Sequence, residues 1–109
     1  IEPSSPLWRP YMARHDQNFA WQYHNGGIWP FVGRFWVAAL CRVGEREAAR
    51  AALARLAEAN ALDGWAFCEW LEGRAGSPRG MRGQSWNAAT FLIACRALDA
   101  GALPFPDAA

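Results

Sequence analysis

Two segments of the chain carry hydrophobic residues around nearly the whole of a helical circumference. They run from about 29 to 44 and from about 85 to 100, and each leaves little polar surface. A helix without a polar face is covered on all sides, so we expect two buried, inner helices. Pro30 suits the first turn of the earlier helix, and Gly44 suits the position just past its end. Arg34 is the polar exception, and we expect it to reach solvent or a buried acid.

The segment between them, residues 45–60, has the pattern of an amphipathic helix. Arginine and glutamate recur on one side, and Glu47 falls in the first turn, where the helix dipole favours negative charge. Asn60 suits the end of this helix. One polar face predicts an outer helix. Its apolar stripe consists of Ala48, Ala49, Ala52, Leu53 and Leu56.

Two further segments lack a sustained helical period. Residues 1–28 contain several prolines and a glycine pair, which predicts an extended or looped entry segment. Residues 61–84 are interrupted repeatedly by glycine, which predicts a long irregular loop. Loops of this length inside compact domains are uncommon and usually functional. We therefore expect 61–84 to be an active-site loop.

This order of elements predicts an all-α fold, in which inner helices are wrapped by outer ones and loops at one end line a central pocket. About three helices plus long loops cannot close such a ring. The 109 residues are 52% hydrophobic and include seven tryptophans, more than a unit of this size is expected to cover. We therefore expect 1–109 to be a single partial domain, incomplete on its own. The remainder of the ring or a homo-oligomer would cover its apolar surface.

Composition and charge argue against several classes of function. The formal net charge is +1 and the arginines are scattered, so no nucleic-acid partner is expected. The apolar runs are too short and interrupted to span a bilayer, so no membrane association is expected. The three cysteines are widely separated and the two histidines are isolated, which favours neither a metal site nor a disulfide framework. We expect no cofactor and a cytoplasmic location.

Two aromatic clusters suggest carbohydrate chemistry. Residues 21–30 alternate aromatic rings with amide, imidazole and glycine backbone, and residues 65–73 combine aromatic rings with two carboxylates. Flat apolar faces beside hydrogen-bonding groups suit a sugar ring, which has C–H faces to stack and hydroxyls to satisfy. The candidate substrate-binding residues are His24, Asn25, Trp29, Trp65, Trp70 and Gln84.

Several of these candidates have a structural alternative. His24 could bond a sugar hydroxyl, or a backbone carbonyl that fixes the turn. Gln84 could offer its amide to a hydroxyl, or cap backbone groups before the last helix. The tryptophans could be ordinary core residues. For Trp86, on a helix that we expect to be buried, core packing is the favoured interpretation.

Glu69 is the candidate catalytic residue. Its neighbours in the chain are apolar, and such surroundings can bring the basicity of a carboxylate towards neutral pH. A carboxylate of this kind can deprotonate a water during glycosidic cleavage. The alternative is that Glu69 pairs with an arginine, such as Arg34, Arg74 or Arg82, and only braces the loop. Glu72 is in a more polar setting, where a solvated or salt-bridged role is expected.

Three motifs then resemble one family. Residues 23–30 are similar to the Y-H-N-G-G-x-W-P motif of neutral/alkaline invertases, glycoside hydrolase family 100, and of bacterial relatives labelled amylo-alpha-1,6-glucosidase or glycogen debranching protein. Residues 65–72 resemble the family's W-P-E-Y-Y-D segment, and 83–89 resemble its Q-T-W-x-x-A helix start. The resemblance covers roughly residues 19–98. Two residues separate Trp65 from Cys68-Glu69 where the family has one proline, and Leu71 replaces a tyrosine. These differences bring the chain nearer the bacterial group.

The resemblance implies that the chain is the C-terminal portion of an (α/α)6 toroid. Glu69 falls on the family's general base, which activates water for inversion. The family's general acid, an aspartate on an earlier segment, has no counterpart here, so the fragment alone is expected to be inactive. Our hypothesis is a C-terminal fragment of an inverting glycoside hydrolase that cleaves an α-glucosidic bond, in sucrose or an α-glucan. The alternative is a non-catalytic helical module that binds carbohydrate or protein through exposed tryptophans.

Overall fold

The structure is a computed structural model that describes residues 1–100; residues 101–109 of the predicted partial domain lie outside the described residues. It is mostly helical, which confirms the predicted all-α class of a partial fold. In chain order the elements are a 3-10 helix at Pro10–Asp16, α1 at Pro30–Arg42, α2 at Arg46–Trp65, β1 at Trp70–Leu71, β2 at Pro78–Arg79 and α3 at Ser85–Ala100. The closed toroid stays a prediction.

The first helix, α1, has the boundaries that its end residues favour. Pro30 is its first residue, where the missing N–H has no helical partner to lose. Gly44 follows its end with φ +83° and donates its N–H to the Cys41 carbonyl at 3.2 Å. Glycine reaches this left-handed conformation without steric cost, so it can stop a helix in this way.

The core lies where α1 packs against both α2 and α3. Gly33 of α1 faces Leu56 of α2 so closely that a Cβ there would lie 3.0 Å from Leu56 Cδ1. Arg46, the first residue of α2, donates from Nη2 to the Leu98 carbonyl at 2.7 Å, which ties α2 to α3. The buried cluster consists of Val37, Leu40, Cys41, Ala49, Leu56, Ala94 and Leu98.

The second helix, α2, departs from its prediction in two ways. Its assigned span runs past the predicted end at Asn60, which lies one turn after Leu56 on the same face and is buried with it. Helical dihedral angles are nevertheless lost from Leu62 onward: Leu62 is extended, and Asp63, Gly64 and Trp65 have positive φ, so the regular helix ends at Ala61. Ala48, predicted in the apolar stripe, is exposed, since only part of that stripe meets the neighbouring helices.

The sequence predicts that α1 and α3 are buried on all sides, but the described residues bury only part of each helix. One face of each helix packs on the core, while the opposite face stays open. Trp36 is 61% exposed on α1 and Leu92 is 60% exposed on α3. Arg34, by contrast, does not reach solvent: it is buried, and its guanidinium lies 4.6 Å from the centre of the Phe35 ring.

Two segments predicted to be irregular contain regular structure. The entry segment includes the short 3-10 helix, which begins at a proline and loses helical angles at Arg14 and His15. The segment after α2 contains the antiparallel pair β1–β2, with Trp70 opposite Arg79 and Leu71 opposite Pro78. Sequence periodicity does not reveal strands of two residues, because they are too short to show alternation.

Residues 66–84 form a lobe that carries β1 and β2. The lobe is closed at its neck, where residues 66–67 meet residues 83–84, and it is anchored to α3. Gly83 donates its N–H to the Ala66 carbonyl at 2.7 Å, and Gln84 donates its N–H to the Phe67 carbonyl at 3.0 Å. Asn87, buried in the first turn of α3, donates from Nδ2 to the Cys68 carbonyl at 2.5 Å. The lobe is therefore anchored to the start of α3.

Candidate functional site

The structure joins the two aromatic clusters that the sequence singles out. Ile28 and Leu71 exchange two backbone hydrogen bonds, of 2.9 and 2.8 Å. Gly73 donates its N–H to the Trp21 carbonyl at 2.7 Å. The Tyr23 ring meets the Trp70 ring edge to face, with 5.9 Å between their centres. Residues 21–30 and 65–73 therefore form one unit.

The turn ahead of α1 is built around the Tyr23 carbonyl. That oxygen accepts the Gly27 N–H at 3.0 Å and the indole N–H of Trp29 at 3.1 Å. A Cβ at Gly27 would lie 2.6 Å from the same oxygen, so only glycine allows this close approach. The turn thus fixes the position of the Trp29 ring.

An aromatic pocket opens beside this turn, with a volume of about 360 Å³. His24 stacks on Trp29 with 5.2 Å between ring centres and 12° between planes. Phe31 stacks on Trp86 at 5.3 Å and 20°, and the Trp29 and Phe31 rings are perpendicular. The pocket therefore has two stacked aromatic pairs at right angles. Its lining residues are Tyr23, His24, Trp29, Phe31, Val32 and Trp86.

Four of these residues, Tyr23, Phe31, Val32 and Trp86, are absent from the predicted binding set. Trp86 is 46% exposed, so the favoured interpretation of core packing is wrong. It lies in the first turn of α3, next to the neck of the lobe, and that position could have identified it. Phe31 and Val32 come two and three residues after Trp29, in the first turn of α1.

Glu69 is half-buried at the start of the β1–β2 lobe and is held by backbone groups. Met81 donates its N–H to Glu69 Oε2 at 3.0 Å, and the Met81 carbonyl accepts the Glu69 N–H at 2.8 Å. Arg82, one of the predicted alternative partners, instead pairs with Asp63 at 3.0 Å. The Glu69 carboxylate is thus oriented by the main chain and not by Arg82.

Glu72, the competing carboxylate, closes the turn between β1 and β2. Its Oε2 accepts the backbone N–H groups of Arg74, at 3.1 Å, and of Ala75. A carboxylate that accepts two N–H groups of its own turn has a structural role. The predicted salt-bridged or solvated role is replaced by this turn-capping contact.

Two of the predicted binding residues, Asn25 and Trp70, make contacts within the chain that leave their side chains unavailable to a ligand in the pocket. The Asn25 side-chain amide donates to the carbonyls of Ile1, at 2.7 Å, and Asn18, at 3.0 Å. Trp70 is 5% exposed, and its ring lies behind Tyr23. Trp70 therefore supports the wall of the aromatic pocket and does not offer a free face to it.

Trp65 and Gln84 lie at the neck of the lobe and do not line the aromatic pocket. Trp65 is 51% exposed and packs against the Phe67 and Phe91 rings at 5.8 and 5.9 Å. Gln84 is half-buried, and its backbone N–H donates the hydrogen bond to the Phe67 carbonyl that closes the neck. The structure therefore brings together His24 and Trp29, but it places Trp65 and Gln84 in a separate group.

The cysteines are free thiols and offer no nucleophile that the geometry supports. Burial raises the pKa of the Cys68 thiol above its ordinary value, and it also raises the pKa of Cys95. A thiol with a raised pKa stays protonated at neutral pH and is a poor nucleophile.

In the part of the chain that the structure describes, no group of three or more His, Cys, Asp or Glu residues could hold a metal ion. Over residues 1–100, no helix has the length and apolarity needed to cross a membrane.

Comparisons with known proteins converge on one family. The family described as alkaline and neutral invertase matches residues 5–100. Probable alkaline/neutral invertase D of Arabidopsis thaliana is 37% identical over 91 residues, 80% of this chain and 16% of that protein. Cytosolic invertase 1 of Oryza sativa subsp. japonica is 36% identical over 91 residues, again 80% and 16%. Neutral/alkaline invertase 1, mitochondrial, of the same plant is 30% identical over 95 residues, 84% and 15%. No solved structure matches the chain.

Proposed function

This chain belongs to the alkaline and neutral invertase family, and from that premise we propose that it carries the general base of an inverting glycoside hydrolase that cleaves an α-glucosidic bond. The chain spans 16% of the length of the first curated relatives it matches. We propose that it forms the C-terminal part of an (α/α)6 toroid. The rest of the toroid would cover the open faces of α1 and α3 and supply the general acid.

In the proposed step, Glu69 accepts a proton from a water molecule. The water oxygen forms a bond to the anomeric carbon while the glycosidic C–O bond breaks. The leaving oxygen takes its proton from a carboxylic acid on another segment of the protein. Attack from the face opposite the leaving group inverts the anomeric configuration. Because the acid comes from elsewhere, the present chain alone is expected to be inactive.

We propose that the aromatic pocket holds one sugar unit of the substrate. Its two perpendicular stacks offer flat faces for C–H groups, and His24 and Tyr23 bring polar ring atoms that suit hydroxyls. Among residues 1–100, the lining contains no carboxylate and no arginine, which favours a neutral sugar over a sugar phosphate. The observation that carries the proposal is the Ile28–Leu71 pairing, because it links this pocket to the strand that follows Glu69.

The test is to incubate the complete protein that the gene encodes with sucrose, maltose and a branched dextrin, and to follow the first anomer released by proton NMR. We expect at least one substrate to release glucose first as the β-anomer. With sucrose, initial release of α-glucose would reject inversion; with maltose, only the glucose from the non-reducing end reports the stereochemistry. Absence of hydrolysis with all three would reject the proposed substrate class, and the pattern of cleavage separates sucrose from α-glucans.

A second candidate is a non-catalytic helical module that binds carbohydrate or protein. The observation that favours it is the exposure of Trp36 and Trp65, at 61% and 51%. This candidate expects binding of a sugar or a partner chain without hydrolysis in the same assay. Under this second candidate, a homo-oligomer would cover the apolar faces of α1 and α3 in place of the rest of a toroid. Sedimentation of the complete protein reports its oligomeric state and so distinguishes a homo-oligomer from a monomer whose toroid is complete.

We also propose a cytoplasmic location. The name of one relative describes it as cytosolic, whereas the names of two others describe them as mitochondrial. Fractionation of the source cells with an antibody against the complete protein tests the location, and recovery in an organelle or membrane fraction would contradict it.

A further inference from the structure

The main chain holds Glu69 at two points, and both belong to Met81, which lies two residues after the end of β2. The Met81 N–H bonds Oε2 of the carboxylate, and the Met81 carbonyl bonds the Glu69 N–H. Among the residues that the structure describes, Oε1 accepts no hydrogen bond. The two carboxylate oxygens are therefore different: one is fixed and the other is left for a further partner.

Gly80 makes this arrangement possible, since it precedes Met81 and has no side chain. Its φ is +71°, a conformation that other residues adopt only under strain. A Cβ at this position would lie 2.5 Å from Glu69 Oε2, 2.8 Å from Glu69 Cβ and 2.8 Å from Trp70 Cδ1. The Trp70 ring is buried against Tyr23, so it has little room to move. Any side chain at residue 80 would have to displace the Glu69 carboxylate.

We propose that Gly80 is a positioning residue for the reaction: it lets the Met81 N–H hold Glu69 Oε2 and so leaves Oε1 as the atom that takes the proton from water. The inference rests on the proposed role of Glu69 as the base. A proton acceptor works only when its oxygen is aligned with the attacking water, and a carboxylate on a flexible side chain loses that alignment readily. The hydrogen bond to Oε2 restricts the rotation of the carboxylate and thus the directions that Oε1 can take.

The test compares Gly80→Ala with Gly76→Ala in the complete protein. Gly76 lies in the same lobe with φ +67°, but a Cβ there has nothing within 4 Å. Both variants therefore carry the same kind of backbone strain, and only one pushes on Glu69. We expect Gly80→Ala to lower kcat by about 100-fold, with a much smaller change in KM, because misplacing a catalytic group by about 1 Å has this effect. Gly76→Ala should keep most of its kcat. Equal kcat in the two variants would overturn the inference.

Two further variants separate the possible failures. Glu69→Gln in the same assay tests the proposed function: if it keeps full turnover, Glu69 is not the base. If Glu69→Gln is inactive while Gly80→Ala is fully active, only the positioning role is wrong. If Gly80→Ala does not fold, Met81→Pro replaces the N–H that bonds Oε2 by a ring carbon. It should also lower kcat while sugar binding persists, and retention of kcat by Met81→Pro would overturn the inference.

Discussion

Ile28 and Leu71 pair through both of their backbone amides, although they lie in the two separate aromatic clusters of the sequence. Ile28 is followed directly by Trp29 of the aromatic pocket, and Leu71 comes two residues after Glu69. The pairing is one antiparallel bridge in which each residue donates to and accepts from the other. The pocket and the candidate base therefore lie in two segments that are joined side by side by this bridge.

Replacing Glu69 by glutamine should remove turnover and leave sugar binding nearly intact. Glutamine keeps the size of the side chain and loses the ability to accept a proton. Loss of a general base is expected to lower kcat by roughly 10²–10⁴-fold. Turnover would be measured with the substrate identified by the anomer assay, and binding by calorimetry. Glu72→Gln is the matched control: its oxygen can still cap the turn at Arg74, so its kcat should stay close to that of the parent. Equal losses in both variants would contradict the assignment.

Replacing Gly27 by alanine should destabilise the protein. The added Cβ would meet the backbone of Tyr23, 2.6 Å from its oxygen and 2.7 Å from its nitrogen, and neither atom can move without opening the turn. A cost of about 1–3 kcal/mol in the free energy of unfolding is expected for such overpacking. Urea denaturation measures it.

Gly33→Ala provides the comparison for that experiment. Its Cβ would lie 3.0 Å from Leu56 Cδ1, the end of a side chain that can rotate. Alanine is also favoured over glycine inside a helix by about 1 kcal/mol, which offsets the crowding. We expect little net change in stability. A larger loss for Gly33→Ala than for Gly27→Ala would show that the turn at Tyr23 is softer than its contacts indicate.

Replacing Trp86 by alanine should weaken sugar binding more than it weakens the fold. Trp86 stacks on Phe31 and forms one wall of the pocket, yet it is 46% exposed. Loss of an aromatic contact of this type corresponds to about 0.5–1.5 kcal/mol, or roughly a 2- to 12-fold rise in Kd. Quenching of tryptophan fluorescence by added sugar would follow binding. Tyr11→Ala, an exposed aromatic residue outside the pocket, should bind sugar as the parent does. An unchanged Kd for Trp86→Ala would remove Trp86 from the site.

Stability should fall at alkaline pH because of the buried Cys68. Burial raises the pKa of this thiol in the folded state above its value in the unfolded chain. The unfolded state therefore releases its proton first, at about pH 8.5, and stability is lost as the pH rises from there through the folded-state pKa. Melting temperatures at pH 7.5 and at pH 9.5 would show the loss. Cys68→Ala removes this thiol, so its stability should depend less on pH in that range. An identical pH dependence in the variant would exclude Cys68 as a cause.

The boundaries of the helices follow from local chemistry and are therefore readable from the chain. Pro30 and Gly44 bracket α1 because each has a backbone preference that holds in any surroundings. The predicted end of α2 at Asn60 lies one residue before the helical angles stop, since Leu62 is extended. Asn60 is itself buried beside Leu56, which its sequence position does not reveal.

The sequence by itself determined the helical class, the family, and the two short segments in which the candidate chemistry lies, because these depend on residue types and on their spacing along the chain. Only the tertiary structure decided how the candidates are used. Trp70 is buried, Asn25 bonds other parts of the chain, and Trp86 lines the pocket. Glu69 is oriented by the Met81 backbone. Burial and hydrogen-bond partners depend on which distant segments come together, and no local pattern carries that information.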